Sequence, residues 1–531
     1  MDTDEPIAPA DHAGAAAPLH RATAPAVQRR QWTRLALALI ALLTLAVLGW
    51  PQATTQLIGA MTAAVIARIG WLVLLFATLL LILAIGIALS PLGRLRLGAA
   101  DERPEFGLGS WIAMLFAAGM GSGLVFWGVA EPLTHTQTLL DQGTARAAAE
   151  ATGMAVTWFH WGLHAWAIYA MSALAIAWFH TRRAMPETPS ASIAGGWRGW
   201  LPTPLCIGLG RAADLVGVSA VVFGVAGALA NSIILLRVGI GSATGWTPPA
   251  VTMQLGMLLL LALTFMTSAA TGIGRGIRWL SNLNLAVATA LMVALLVLGA
   301  PAAAGSLGLD ALGRWLTALP DWSLRPIDLD GASGGGNWSR AWTMTSLVWW
   351  IGWTPFVGLF IARISRGRRL RVFLFGVLLV PTLFSLLWFA VLGGGALAHD
   401  QATGGALRAA LDEHYTRPLF LWLEAVPLGT LLALLVCALL FVFMVTSADS
   451  ACFVLGMLSS GRTEPSLGSK LGWGVLLTAL TAGLLLRNDV DVNRAVAIAG
   501  ALPFTLFLLL QVIALVRSLS QQWRSGWVPR A

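Results

Sequence analysis

The chain has 531 residues, 57% of them apolar and only 11% charged, with a formal net charge of +9 and a mean hydropathy of +0.77. A soluble domain is about a quarter charged and cannot hide this much apolar surface, which excludes a water-soluble enzyme, a disordered chain or a nucleic-acid module. The class left is an all-α polytopic membrane protein.

Residues 1–30 are rich in Ala and Pro and are predicted to form a disordered tail. Arg29-Arg30 before an apolar run has the outline of a twin-arginine export signal, but no small-residue cleavage site follows, so no cleaved leader is expected. Twelve apolar runs come next, near 35–52, 66–90, 109–133, 151–179, 212–238, 250–270, 281–302, 340–362, 372–397, 419–459, 470–487 and 492–516. Each has at least roughly the 20 residues that cross a hydrocarbon core, and the tenth is long enough to include a bend. Residues 31–517 are therefore read as one transmembrane domain, and 518–531 as a short tail.

The basic residues test this count. With the N-terminus in the cytoplasm, 23 of the 33 fall on the cytoplasmic side, among them Arg94, Arg96, Arg182, Arg183, Arg363, Arg366, Arg368, Arg369 and Arg371. Twelve crossings with both termini cytoplasmic satisfy the positive-inside rule. The arginines sit in short loops, so the partner they imply is anionic membrane lipid, not nucleic acid. Of the outer connections, 303–339 is Gly- and Asp-rich and reads as a surface cap, and 398–417 as the place of a short amphipathic helix. Cys206, Cys437 and Cys452 have no metal spacing and read as packing residues.

A transporter that binds its solute at mid-membrane does so where helices are interrupted in matching halves of the chain. The third run carries Gly119, Gly121 and Gly123, and the eighth combines Gly352 with Pro355. Two interruptions five runs apart suggest two five-helix repeats, runs 3–7 and 8–12, inverted because five is odd, after two extra N-terminal helices. Close helix packing explains the glycines equally well.

Run 4 holds Trp161, Trp166 and Tyr169. At about 100° per residue, Tyr169 lies about 80° from Trp161 and about 60° from Trp166, so the three rings share a broad face. Trp349, Trp350 and Trp353 in run 8 repeat the arrangement. Aromatic faces attract a quaternary ammonium, which has no N–H to donate. The competing reading is an interfacial tryptophan belt. In run 10, Thr446 and Ser447 offer oxygens to a hard cation such as sodium, or bond back to their own helix. Glu131, His160, His164, Asp214, Glu424 and Asp449 are ionisable residues within the runs. Glu131 and Glu424 fall near run ends, where water can satisfy them, and the histidines suit either a proton relay or polar helix contacts. No phosphate loop, metal-ligand cluster or nucleophile triad stands out, so no enzyme activity and no cofactor other than a coupling sodium is expected.

The stretch Gly119-Met120-Gly121-Ser122-Gly123-Leu124 with Gly128-Val129-Ala130-Glu131-Pro132 resembles the third helix of betaine/carnitine/choline transporters. Residues 159–169 resemble the fourth helix of that family, Pro355–Gly367 the eighth and its following loop, and Val445–Ser450 the tenth. The resemblance implies a LeuT-type fold of two inverted repeats. It also implies secondary transport of a quaternary-ammonium or related osmolyte, such as glycine betaine or choline, in the bacterial cytoplasmic (inner) membrane. The family's aromatic box falls on Trp161, Trp166 and Tyr169, with Trp349, Trp350 and Trp353 opposite. Its sodium site falls on Ala117, Met120, Phe443, Thr446 and Ser447. A homotrimer is the assembly the family implies.

The chain departs from the pattern at Ser346 and Leu347, where an aromatic and a Trp are usual, and at Ser122, where a larger apolar residue is common. Val221 and Val225 stand where a second sodium would need hydroxyls. The resulting expectation is a cation-coupled symporter. Its substrate head sits among the six rings, and any substrate carboxylate faces backbone N–H groups near Gly119, Gly121 and Gly123. A proton-coupled or ion-independent carrier or exchanger, or a solute sensor or channel on the same fold, are the alternatives.

Overall fold

The computed structural model describes residues 26–119, 121–271, 274–331, 336–462 and 464–524, and among them there is no strand. An apolar solvent leaves backbone groups to satisfy one another, and helices do so within each segment. In chain order the helices are α1 (Ala26–Gly49), α2 (Pro51–Leu89), α3 (Leu108–Gly119), α4 (Ser122–Asp141), α5 (Arg146–Trp161), α6 (Leu163–Arg183), α7 (Pro189–Gly196), α8 (Thr203–Thr244), α9 (Ala250–Thr271), α10 (Gly274–Leu298) and α11 (Pro301–Leu324). After a π-helical turn at Arg340–Met344 come α12 (Thr345–Ile364), α13 (Leu370–Ala402), α14 (Ala406–Glu413), α15 (Arg417–Ala425), α16 (Gly429–Ser460), α17 (Leu467–Leu485) and α18 (Val490–Arg524). The predicted tail at 1–30 lies outside the described residues up to 25, and α1 already begins at Ala26. The end of the second tail, 525–531, lies outside them too.

Nine described helical segments are long and apolar enough to cross a membrane, or ten if the bent pair Leu283–Leu298 and Pro301–Leu324, at 106°, is one span. Three of the twelve predicted runs fall short for separate reasons. The first is the shorter apolar helix Arg34–Gly49. The third is split between α3 and α4. The seventh, α10, is the first limb of the bent pair.

Other differences from the expected layout have local causes. The predicted cap at 303–339 contains the 24-residue helix α11, which packs on α5 and α13. Its small residues and scattered polar groups hide an amphipathic helix. The predicted tenth run, 419–459, is two helices, α15 and α16, turned apart at Val426–Leu428, where Leu428 is left-handed at φ 62°. The amphipathic helix expected in 398–417 is α14.

The core is formed by α4, α5, α6, α8, α12 and α18. Here α6 packs along α12, and α18 runs along α8. Large apolar side chains such as Leu42, Leu259, Leu260 and Leu263 point outward from α1 and α9, as lipid-facing residues must. Trp50, Trp200 and Trp246 lie exposed at helix ends, the placement of an interfacial belt.

Arginine-rich loops meet at one end of the bundle. Arg366 binds Glu102, and Arg363 binds Glu187 at 2.9 Å. The Gly367 N–H reaches the Leu97 carbonyl, Arg368 donates to the Phe106 and Gly107 carbonyls, and Arg182 donates to the Arg96 carbonyl. The opposite end ties Gln142 to the Leu329 carbonyl, Arg408 to Asp400 and Gln137, and Gln254 to Asn488.

Candidate functional site

Two helix breaks face each other inside the bundle. The first separates α3 from α4. Gly121 is the N-cap of α4, with no side-chain cap, so the first N–H groups of this 20-residue helix lack a side-chain acceptor. They form the positive end of its dipole. Ser122, one of the departures from the family pattern, accepts a hydrogen bond from Ser232 on α8 at 2.6 Å. Met120 lies outside the described residues, and for Ala117 and Gly119 only the helical backbone is described.

The second break, at Gly162, divides the fourth predicted run into α5 and α6. A Cβ on Gly162 would lie 2.5 Å from the Trp158 carbonyl oxygen, so glycine is the residue this turn accepts. The eighth run is not broken at Gly352 and Pro355 as expected: α12 continues through both. Gly352 instead serves packing, since a Cβ there would stand 2.7 Å from that of Ala501 on α18. The irregularity of this run lies earlier, in the π-helical turn, a feature frequent at functional sites.

Between the breaks the aromatic residues of runs 4 and 8 come together. Trp161 stands 5.5 Å from Trp350 and 6.4 Å from Trp349, both edge to face. Trp350 also meets Tyr169 at 5.1 Å and Trp166 at 5.8 Å, and Trp166 meets Tyr169 at 5.6 Å. Phe389 from α13 adds a sixth ring, 5.4 Å from Trp161, that the periodicity of runs 4 and 8 had no means to find. Trp161, Trp166, Tyr169 and Trp350 are buried, which sets them apart from the belt tryptophans. Trp349 is half-buried at the edge. Trp353 lies apart: it meets Phe356 and faces Gly224 of α8. Gly123 completes the wall, for a Cβ on it would lie 3.2 Å from the Trp161 ring and 3.9 Å from Trp349. Of the two departures in run 8, Ser346 and Leu347 are both buried.

Glu131 is the functional candidate that position along the chain misjudged. It is buried in α4, and its Oε2 accepts the Trp161 indole N–H at 2.7 Å. Its Oε1 lies 2.7 Å from His160 Nδ1 and 3.4 Å from His135 Nε2. His160 Nε2 is in turn 3.0 Å from the Thr343 hydroxyl in the π-helical turn. The signal was present in the i, i+4 pair Glu131/His135 on one helix face, with His160 beside Trp161 on the next helix. The ligand-type atoms of Glu131, His135 and His160 lie within 4.8 Å of one another, near enough for a metal ion. Trp161 engages Glu131 and Thr343 engages His160, whereas the buried His135 Nδ1 has no hydrogen-bond partner. His164 is fully buried, and its ring packs on Phe159 at 4.5 Å.

The expected ion-binding residues of run 10 lie on α16. Phe443 is buried, and Thr446 and Ser447 are half-buried. The Thr446 hydroxyl donates to the Val442 carbonyl at 3.0 Å and to that of Phe443 at 3.1 Å, the back-bonding arrangement. Val221 and Val225 on α8 are buried and offer no oxygen from their side chains. Asp449 accepts from Ser268 at 2.8 Å.

An all-helical membrane bundle with broken helices around a buried polar and aromatic centre is the architecture of a transporter. Residues 33–524 match the model of the BCCT (betaine/carnitine/choline) family of transporters. The chain is 39% identical over 457 residues to the glycine betaine transporter OpuD of Bacillus subtilis (strain 168), covering 86% of this chain and 87% of that one. It is 34% identical over 459 residues to the ectoine/hydroxyectoine transporter of Virgibacillus pantothenticus, covering 85% and 89%. A probable glycine betaine transporter of Desulfitobacterium hafniense (strain Y51) is 33% identical over 483 residues, covering 88% and 93%. The chain belongs to the betaine/carnitine/choline transporter family.

Proposed function

We propose that this protein is a secondary active transporter that imports a quaternary-ammonium osmolyte, glycine betaine or choline, by symport with a cation. The single observation that carries the reading is the buried ring cluster of Trp161, Trp166, Tyr169 and Trp350 beside the α3–α4 break. A trimethylammonium head gains roughly 0.5–2 kcal/mol per ring face, most where water is excluded. The rings touch edge to face, so the head enters only as Trp350 and Trp161 part. That couples binding to a change of shape, as alternating access requires. A substrate carboxylate lies at the uncapped start of α4.

Sodium is the coupling ion of this reading, held between Ala117 and Met120 on one side and Phe443, Thr446 and Ser447 of α16 on the other. To bind it, Thr446 gives up its bonds to Val442 and Phe443. The buried Glu131–His160 pair favours a second reading, coupling to protons. The wider proposal has twelve spans, two inverted repeats over runs 3–7 and 8–12, both termini cytoplasmic and a homotrimer in a bacterial inner membrane. The arginine-rich end faces anionic lipid.

The test is uptake of labelled glycine betaine into proteoliposomes under an imposed sodium gradient, an imposed proton gradient, or neither. Accumulation above the external concentration with sodium alone supports the first reading, and with protons alone the second. Equilibration without accumulation supports a channel and contradicts both.

A further inference from the structure

Trp161 is the last residue of α5, placed where the helix ends at Gly162. A terminal residue has less backbone to hold its side chain, yet this indole carries a wall of the ring cluster. It is held at two edges by one helix. Nε1 donates to Glu131 of α4 at 2.7 Å, and the far edge of the six-membered ring lies over Gly123 of the same helix, where a Cβ would stand 3.2 Å from it.

The hydrogen bonds that join Trp161, Glu131, His160 and Thr343 are satisfied with Glu131 ionised, while the buried His135 Nδ1 has no hydrogen-bond partner. An indole N–H only donates, and an ionised carboxylate only accepts. With the His160 proton on Nδ1, that nitrogen donates to Oε1 and Nε2 accepts from the Thr343 hydroxyl, so a neutral imidazole in this tautomer completes the chain. The 2.7 Å separations are those of charge-assisted bonds. The other ionisable groups facing the carboxylate are His135, on its own helix, and Arg494 of α18. The Arg494 guanidinium stacks on Trp342 at 4.5 Å, and Trp342 meets the His135 ring at 4.8 Å.

We infer that Glu131 is the positioning and selectivity residue of the ring cluster: by gripping the Trp161 indole it sets the ring's angle, and by its fixed negative charge behind the ring it favours net-cationic solutes over zwitterions. Two effects act in the same direction. A hydrogen bond from the indole N–H to an anion pushes electron density onto the ring face, strengthening its pull on a cation. The carboxylate adds a direct attraction that low dielectric preserves. For a zwitterion the second effect is partly cancelled by repulsion of the substrate's own carboxylate. The inference rests on the ring cluster being the substrate site.

The experiment uses full-length protein in proteoliposomes. It measures the KM for labelled glycine betaine and the inhibition constant for choline against it, in wild type, Glu131→Gln, Trp161→Phe and the double variant. Gln keeps an acceptor for the indole but removes the charge. The expected result for Glu131→Gln is a choline constant raised about tenfold and a betaine KM raised by no more than about threefold. Trp161→Phe shifts the same ratio, and adding Glu131→Gln to it shifts the ratio less than Glu131→Gln does in the wild type, because only the direct attraction of the carboxylate is left to lose. An unchanged choline-to-betaine ratio in both single variants, or fully additive effects, overturns the inference while leaving the substrate reading intact. Failure of choline to compete with betaine in the wild type overturns it as well. If wild type takes up no betaine, both fall. Should Glu131→Gln fail to fold, the Trp161→Phe ratio decides alone.

Discussion

Tyr169 and Trp350 stand with ring centroids 5.1 Å apart at 61°, although they come from helices far apart in the chain. The contact joins α6 to α12, and these two helices pack along each other over much of their length. A ligand that separates this pair moves one helix against the other, which is how local binding becomes a change in the bundle.

Replacing Thr446 and Ser447 by Ala together removes both hydroxyls of the proposed sodium site. The expected outcome is uptake that no longer rises with sodium, at unchanged protein level in the membrane. Uptake measured at increasing external sodium checks this, and retained sodium dependence contradicts the site. Thr446→Ala also breaks bonds to its own helix only, so its cost in stability is small.

Gly352 and Gly313 make a matched pair. A Cβ at Gly352 meets Ala501 at 2.7 Å, whereas at Gly313 on α11 it meets nothing within 4 Å. Gly352→Ala forces α12 from α18 and is expected to destabilise by about 1–3 kcal/mol. Gly313→Ala gains helix propensity and is expected to be neutral or stabilising by up to about 1 kcal/mol. Thermal unfolding in detergent separates the two, and equal shifts would contradict the packing.

At the arginine-rich end, the Ala99 N–H and the Arg366 guanidinium hold Glu102 below the usual carboxylate range. A lowered folded value contributes stability above the ordinary pKa, and this is lost as pH falls through the lowered one. The pair is partly exposed, so its worth is about 0–1 kcal/mol and falls with salt. Glu102→Gln is therefore expected to lower the unfolding temperature slightly at pH 7, and by less as the pH falls below the ordinary carboxylate range. A difference that persists in acid would assign the effect to something other than charge.

Much of this was legible in the amino-acid order. Hydropathy marks the apolar helices because lipid imposes length and composition on them, and the break at Gly121 and Gly123 shows as a cluster of small residues. What stayed hidden depends on neighbours distant in the chain. Gly352-Pro355 has the composition of a break, but Ala501 turns its glycine into a packing contact. Gly162 ends a helix where the sequence reads as continuous aromatic and small residues. Glu131 resembled a residue near a helix end until α5 brought Trp161 and His160 onto its carboxylate. Trp353 shares a helix with Trp350 but turns toward Gly224, which helical spacing alone did not separate.

If the solute binds among the buried rings, equilibrium binding of labelled glycine betaine to the purified protein depends on them. Trp350 meets Trp161, Trp166 and Tyr169, so Trp350→Ala removes the ring the others share. Binding is expected to weaken by about tenfold or more, the size of a dry cation–π contact, in a variant that still folds. Wild-type affinity in a folded Trp350→Ala protein would contradict it.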